Sequence, residues 1–150
     1  MADIKDEVAR SLNMSLIHGK NTKPELFVRH MLFAEGYRYR IHSKSVPGHP
    51  DLWLKKYNTA VFVNGCFWHR HRNCKYAYNP KSRVDFWKQK FADNVRRDIG
   101  IYSQLGEQGI KCLVIWECSV KKMNRDSTYG DVLLQNIKTF LENCDLFLEL

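Results

Sequence analysis

Residues 110–118 read IKCLVIWEC, a run that is apolar at almost every position. Successive side chains of a strand point to opposite faces, so a strand with one wet side alternates polar and apolar residues. An unbroken apolar run predicts a strand covered on both faces, and that demands layers of structure above and below a central sheet. Further strands are legible nearby. "YRYRI" at 37–41 alternates strictly. "VPGHP" at 46–50 predicts a turn, and "DLWLKK" (51–56), joined through "YN" to "TAVFVN" (59–64), predicts an antiparallel hairpin.

The covering layers come from helical segments. Residues 1–18 place Ile4, Val8, Leu12 and Leu16 at helical spacing. Thr22-x-x-Glu25 is a capping-box pattern that opens a second helix, with Phe27, Met31 and Ala34 as its buried face and a stop at Gly36. A long helix over 82–107 turns Phe86, Phe91, Val95, Ile99, Tyr102 and Leu105 inward, and a last helix spans 129–143. The order α, α, β, β, β, α, β, α predicts an α/β fold over 1–150, a single domain with a mixed sheet and helices on both sides. Neither an internal repeat nor a linker interrupts it. Residues 65–81 remain as a long irregular loop, a feature that in a small domain usually carries function.

Charge narrows the partners. Twenty-four Lys and Arg against sixteen Asp and Glu leave a formal net charge of +8, which favours an anionic partner, nucleic acid first and a membrane surface second. No apolar run is long enough to span a bilayer, and "MADIKDEVAR" has none of the character of a signal peptide, so the expectation is a cytosolic protein. Five cysteines are an odd count, and in a reducing compartment they serve more often as ligands or buried thiols than as disulfides.

The loop opens with "NGCFWHRHRNC", residues 64–74, which packs two cysteines, two histidines and two adjacent aromatics together. Cys66-x4-His71-x2-Cys74 offers three zinc-type ligands, and a structural zinc wants a fourth. Cys112 and Cys118 share one strand but stand about 20 Å apart, so only one can reach the loop. Cys118, at the strand's end, is the expected ligand, and Cys112, inside the apolar run, reads as a core thiol. The competing account makes all of them buried thiols. A zinc deaminase is excluded, because the chain lacks H-x-E with a downstream P-C-x-x-C.

His69 is left over once His71 is assigned to zinc. Held beside the knuckle it suits general acid–base work, whereas taken alone it reads as an exposed loop histidine. Asp51 stands at the mouth of its strand, at the same end of the hairpin as Phe62 and Val63. A carboxylate there, beside a backbone carbonyl, suits a hard cation such as Mg²⁺, although an Asp closing the turn "GHPD" is ordinary. Phe67 and Trp68 fit either core plugs or wedges between base pairs, and Trp87, at the start of the long helix, is placed to join them.

Taken together, "RSLNMSLIHGKNTKPE" (10–25), "VPGHPDLW" (46–53), "VFVNGCFWHRH" (61–71), "FW" (86–87), "NVRRD" (94–98) and "VIWEC" (114–118) resemble the very short patch repair endonucleases, the bacterial DNA mismatch endonucleases. The resemblance runs through most of the chain in the family's order. It implies a restriction-endonuclease-like fold with a structural zinc loop, and Mg²⁺-dependent nicking of one DNA strand at T·G mismatches left by 5-methylcytosine deamination. It further implies that Asp51 and the Val63 carbonyl bind magnesium and that His69 handles protons. Glu25 would be an acidic residue of the site, and Phe67, Trp68 and Trp87 would enter the DNA. Cys66, His71, Cys74 and Cys118 would hold zinc, the same four that spacing selects. The basic residues Lys20, Lys23, Arg29, Arg96 and Arg97 are expected on phosphates, with residues 1–20 forming a DNA-contacting helix. A monomer in the bacterial cytoplasm, working beside other mismatch-repair proteins, completes the expectation. One departure stands out: some members carry a second His where this chain has Asn64, which cannot titrate. Two alternatives are a restriction- or homing-type nuclease on matched DNA and a zinc-stabilised DNA-binding module without catalysis.

Overall fold

The two most apolar strands lie at the centre of one sheet. In the computed structural model, which describes residues 21–150, β1 (Arg40–Ile41), β2 (Leu52–Leu54), β3 (Thr59–Asn64), β4 (Lys111–Trp116) and β5 (Phe147–Glu149) are neighbours in that order. β1, β2 and β3 run antiparallel, whereas β3, β4 and β5 run parallel, so the sheet is mixed. Every residue of β3 and β4 is buried, as the uninterrupted apolar runs require. The expected helix at 1–18 and Lys20 lie outside the described residues.

Among the described residues the helices are α1 (Lys23–Ala34), α2 (Val84–Glu107), α3 (Glu117–Arg125) and α4 (Ser127–Glu142). Side chains alternate across the sheet, so each face has its own core. Val61, Val63, Leu113 and Ile115 meet Val28 and Leu32 of α1, Val120 of α3 and Ile137 of α4. Ala60, Phe62, Cys112 and Val114 meet Leu105 of α2 on the other face. This is a mixed α/β architecture, consistent with a restriction-endonuclease-like fold. None of the described helices is long and apolar enough to cross a membrane.

Several boundaries differ from the sequence expectation. In "YRYRI" only Arg40 and Ile41 pair with β2, because Tyr37 is used to end α1: its N–H donates to the Leu32 carbonyl after Gly36 turns the chain at φ +90°. β2 stops at Leu54, where a 3-10 turn over Lys55–Tyr57 and left-handed Asn58 replace the rest of "DLWLKK". The buried face of α1 is rotated by one residue, about 100°. Val28 and Leu32 are fully buried, Phe27 and Met31 are only partly so, and Ala34 is exposed.

In α2, Phe91 and Leu105 are buried and Val95 and Tyr102 half-buried, whereas Phe86 and Ile99 face solvent. The first half of α2 lies against the loop aromatics, so its buried stripe is shorter than the periodicity promised. Cys112 is a buried core thiol, as expected. The chain beyond Trp116 enters α3 at once, so Cys118 sits in a first helical turn and not at a strand's loose end. The final helix starts at Ser127, capped by Asp126, and β5 adds an edge strand that the periodicity did not reveal.

Candidate active site and metal centre

Because β2 and β3 are antiparallel, the start of one lies beside the end of the other, and Asp51 arrives next to Val63. The Val63 N–H donates to Asp51 Oδ2 at 2.6 Å. The turn leading into Asp51 hugs α2: Gly48 has φ +82°, and a Cβ there would stand 2.5 Å from Ile101 Cγ2. Only glycine satisfies both the conformation and the approach.

Glu25 reaches the same place from α1. Thr22 caps that helix through its hydroxyl, which accepts from the Glu25 N–H. Glu25 does not close the box on Thr22. It is buried, and its Oε2 accepts from the Asn21 N–H at 3.0 Å and from the Arg29 guanidinium at 3.1 Å, with His42 Nε2 at 3.3 Å. His42 Nε2 also lies 3.9 Å from Asp51 Oδ1. Burial first, and the neighbouring Glu25 charge second, push the Asp51 carboxyl up to about 7, against the pull of the Val63 amide. Arg29 is thus paired inside the protein and is not on the phosphate-binding surface expected of it, because its helix face turns inward beside Glu25.

His69 lies across the same cleft. A turn bonds its N–H to the Gly65 carbonyl, and its Nδ1 meets Asp98 Oδ2 of α2 at 2.6 Å. The cleft has a volume of about 670 Å³ and is lined by Glu25, Asp51, Val63, Asn64, Phe67, Trp68, His69, Arg97 and Asp98 among others. Asp51 and His69 therefore share one site. Asn64 is buried and donates through Nδ2 to the Tyr102 hydroxyl at 2.9 Å, a purely hydrogen-bonding role.

Phe67 is the hub of an aromatic group, with ring centroids 5.1 Å from Trp68, 5.4 Å from Trp87, 5.1 Å from Phe91 and 4.9 Å from Tyr78. Phe67, Trp68 and Trp87 are all half-buried, so they are neither core plugs nor free. Arg70 fastens the loop. Its guanidinium donates to the carbonyls of Phe67, Ala77 and Tyr78 and to Asn79, and stacks over Phe91 at 3.9 Å.

Cys66, His71, Cys74 and Cys118 converge, their ligand atoms all within 4.8 Å of one another. A tetrahedral zinc with Zn–S near 2.3 Å needs edges of about 3.8 Å, so the donor set fits the ion. The three thiols are free of disulfides, and burial pushes the Cys66 thiol up to about 12, which disfavours a thiolate without a cation nearby. His71 turns Nδ1 towards Cys118 Sγ, at 3.4 Å, and its ring stacks on Trp116 at 4.2 Å. Glu25, His42 and Asp51 form a second group of donors within the same mutual distance. Of the basic residues expected on DNA, Lys23 and Arg96 are exposed, Arg96 beside Asp93 at 3.1 Å, and Arg97 borders the cleft.

Sequence reasoning missed His42 and Asp98 as parts of the site. Asp98 ends the "NVRRD" segment, and His42 follows the "YRYRI" alternation directly, so each stood beside a feature already singled out.

Comparison with known proteins gives a consistent pattern. The family described as DNA mismatch endonuclease Vsr matches residues 2–75. A type II nicking enzyme of Neisseria meningitidis is 46% identical over 121 residues, 81% of this chain and 86% of that protein. The DNA mismatch endonuclease Vsr of Escherichia coli is 33% identical over 141 residues, 94% of this chain and 88% of that protein. A type II nicking enzyme of Xanthomonas oryzae is 37% identical over 123 residues, covering 82% and 90% respectively.

Proposed function

The chain belongs to the DNA mismatch endonuclease Vsr family and is a DNA endonuclease, and on that premise we propose that it nicks one strand of duplex DNA at T·G mismatches by Mg²⁺-dependent hydrolysis. The observation that carries the reading is the meeting of Glu25, Asp51 and His69 in one cleft with the rings of Phe67 and Trp68. A nuclease needs carboxylates and a base beside its phosphate, and a mismatch reader needs something flat to test the stack. Both demands are met where one loop, one hairpin and the first turn of α1 come together.

Burial first and the Glu25 charge second raise Asp51 to about 7, and two carboxylates gathered with few counter-charges fit a hard cation. Asp51 and the Val63 carbonyl would hold Mg²⁺, which supplies Lewis acidity at the scissile phosphate. The protein's own work is then positional and protonic. Asp98 takes the Nδ1–H of His69, which leaves Nε2 free to accept the proton of the attacking water. Attack on phosphorus breaks the bond to the 3′ oxygen, leaving a 5′-phosphate and a 3′-hydroxyl. Glu25, anchored through Oε2, holds its carboxylate beside Asp51.

Specificity follows from deformation. Phe67, Trp68 and Trp87 wedge into the stack, and a wobble pair resists unstacking less than a Watson–Crick pair does. Lys20, Lys23, Arg96 and Arg97 neutralise phosphates. Zinc on Cys66, His71, Cys74 and Cys118 keeps the loop in shape for both tasks.

A nicking assay on otherwise identical matched and T·G duplexes tests the reading. Cleavage of the T·G duplex alone, and only with Mg²⁺, is the expected result. Equal cleavage of both duplexes would point to a nuclease for matched DNA, and binding without any cleavage to a non-catalytic module.

A further inference from the structure

We propose that His42 is a positioning residue that sets the spacing of the two carboxylates in the site, and this inference rests on the reading of Asp51 as the cation-holding group. Glu25 and Asp51 come from different elements, α1 and the start of β2, and each is tethered within its own element or hairpin. Glu25 Oε2 is held by Arg29 one turn along α1 and by the Asn21 N–H just before it, while Asp51 is held by Val63. None of these contacts ties one carboxylate to the other.

His42 does. Its backbone N–H donates to the Asp51 carbonyl at 3.3 Å, and its ring crosses to Glu25, placing Nε2 at 3.3 Å from Oε2 and 3.9 Å from Asp51 Oδ1. The residue adopts φ +48°, a left-handed conformation that costs a non-glycine residue energy. That cost is understandable if the turn serves to carry the ring inward. A single side chain thus acts as a bracket: the backbone registers on one acid and the imidazole on the other. Among the described residues no hydrogen bond occupies Glu25 Oε1, so fixing Oε2 on the protein side leaves the other oxygen for the cleft. His42 itself does not line that cleft, which separates its role from the residues that touch substrate.

The bracket needs a donor at the Nε2 position and not a titrating ring. The amide nitrogen of glutamine falls close to that position, whereas leucine fills the space without a donor. The experiment compares His42→Gln and His42→Leu with the unsubstituted protein. It reads single-turnover nicking of a T·G duplex, KM for that duplex, and Mn²⁺ binding in the absence of DNA from the loss of the free-ion electron paramagnetic resonance signal. We expect His42→Leu to lower the single-turnover nicking rate by about 10- to 100-fold, the scale of an ångström-sized misplacement of reacting groups, with KM unchanged. Mn²⁺ binding should weaken several-fold in the same variant, and His42→Gln should recover both quantities to within a few-fold. Wild-type values in the Leu variant, or a Gln variant as impaired as the Leu one, overturns the proposal. Should the Leu variant not fold, the Gln variant decides, since retention supports the bracket and loss refutes it. The Mn²⁺ measurement keeps the question separate from mismatch nicking, because it answers even if the T·G duplex proves not to be the substrate.

Discussion

An aspartate of ordinary acidity stays ionised across the neutral range, but the Asp51 carboxyl is held at about 7 by burial and by Glu25. Its folded value exceeds the unfolded one, so the folded state binds the proton more tightly. The contribution of this group to stability is greatest at about pH 4 and below, falls as pH rises towards 7, and is a net liability above that. Without added Mg²⁺, Asp51→Asn should therefore melt higher than the parent at pH 8 and close to it at pH 4, as thermal denaturation will show. The same substitution should abolish nicking, and Asp51→Ala should do so while leaving affinity for a T·G duplex largely intact in a gel-shift titration. Asp98 acts through His69. Asp98→Ala removes the acceptor that fixes the Nδ1–H tautomer, and nicking should fall about 10²–10⁴-fold, the range of general acid–base catalysis, with zinc content unchanged by metal analysis. Asp51 and His69 were legible in the sequence because each lies in a short, unusual segment. His42 and Asp98 were not, because their roles arise only when a turn and the middle of a helix close upon the other pair, and no periodicity encodes that meeting.

The loop between β3 and α2 packs around the Phe67 ring, and two further groups of side chains are placed to fasten it, the first of them only with zinc bound. One is the quartet of Cys66, His71, Cys74 and Cys118, and the other is Arg70 with its carbonyl acceptors. Cys74→Ala should lower bound zinc below one per chain by metal analysis and reduce the melting temperature, since a site that loses a ligand returns binding energy taken from folding. Arg70→Ala should cost about 1–3 kcal/mol in a urea titration while zinc is retained, because a charged donor leaves several carbonyls short of a partner. The element pattern explains why β3 and β4 were better predicted than the helix faces. β3 and β4 are buried on both sides, so composition alone marks them. The faces of α1 and α2 were misjudged because both helices spend buried positions on polar groups, Glu25 and Arg29 in one and Asn94 in the other, and apolar periodicity cannot register a buried acid or amide. The strand before α3 was read as running through Cys118 because no capping side chain marks the change, and the first turn of α3 sets the Cys118 thiol beside Cys66, His71 and Cys74.

At the scale of the whole molecule, the net charge of +8 and the proposed aromatic wedge would make separable contributions to DNA recognition. Phosphate neutralisation is independent of sequence, and the logarithm of affinity falls against the logarithm of salt with a slope of about −0.9 per phosphate contacted. A wedge of rings would contribute nothing to that slope, because it would displace bases and not counterions. Trp68 is the suitable probe. Phe67 is in contact with four other rings, so its removal would loosen the loop, whereas Trp68 packs on Phe67 and Trp87 and borders the cleft. In Trp68→Ala the salt slope of binding to a T·G duplex should equal that of the parent, while the ratio of T·G to matched affinity should fall by about 10-fold, as the loss of one base–aromatic contact worth 1–3 kcal/mol implies. Lys23→Ala should do the reverse, reducing the slope by about one and weakening matched and T·G duplexes alike. A Trp68→Ala protein that kept the full T·G preference would show that discrimination does not pass through this ring.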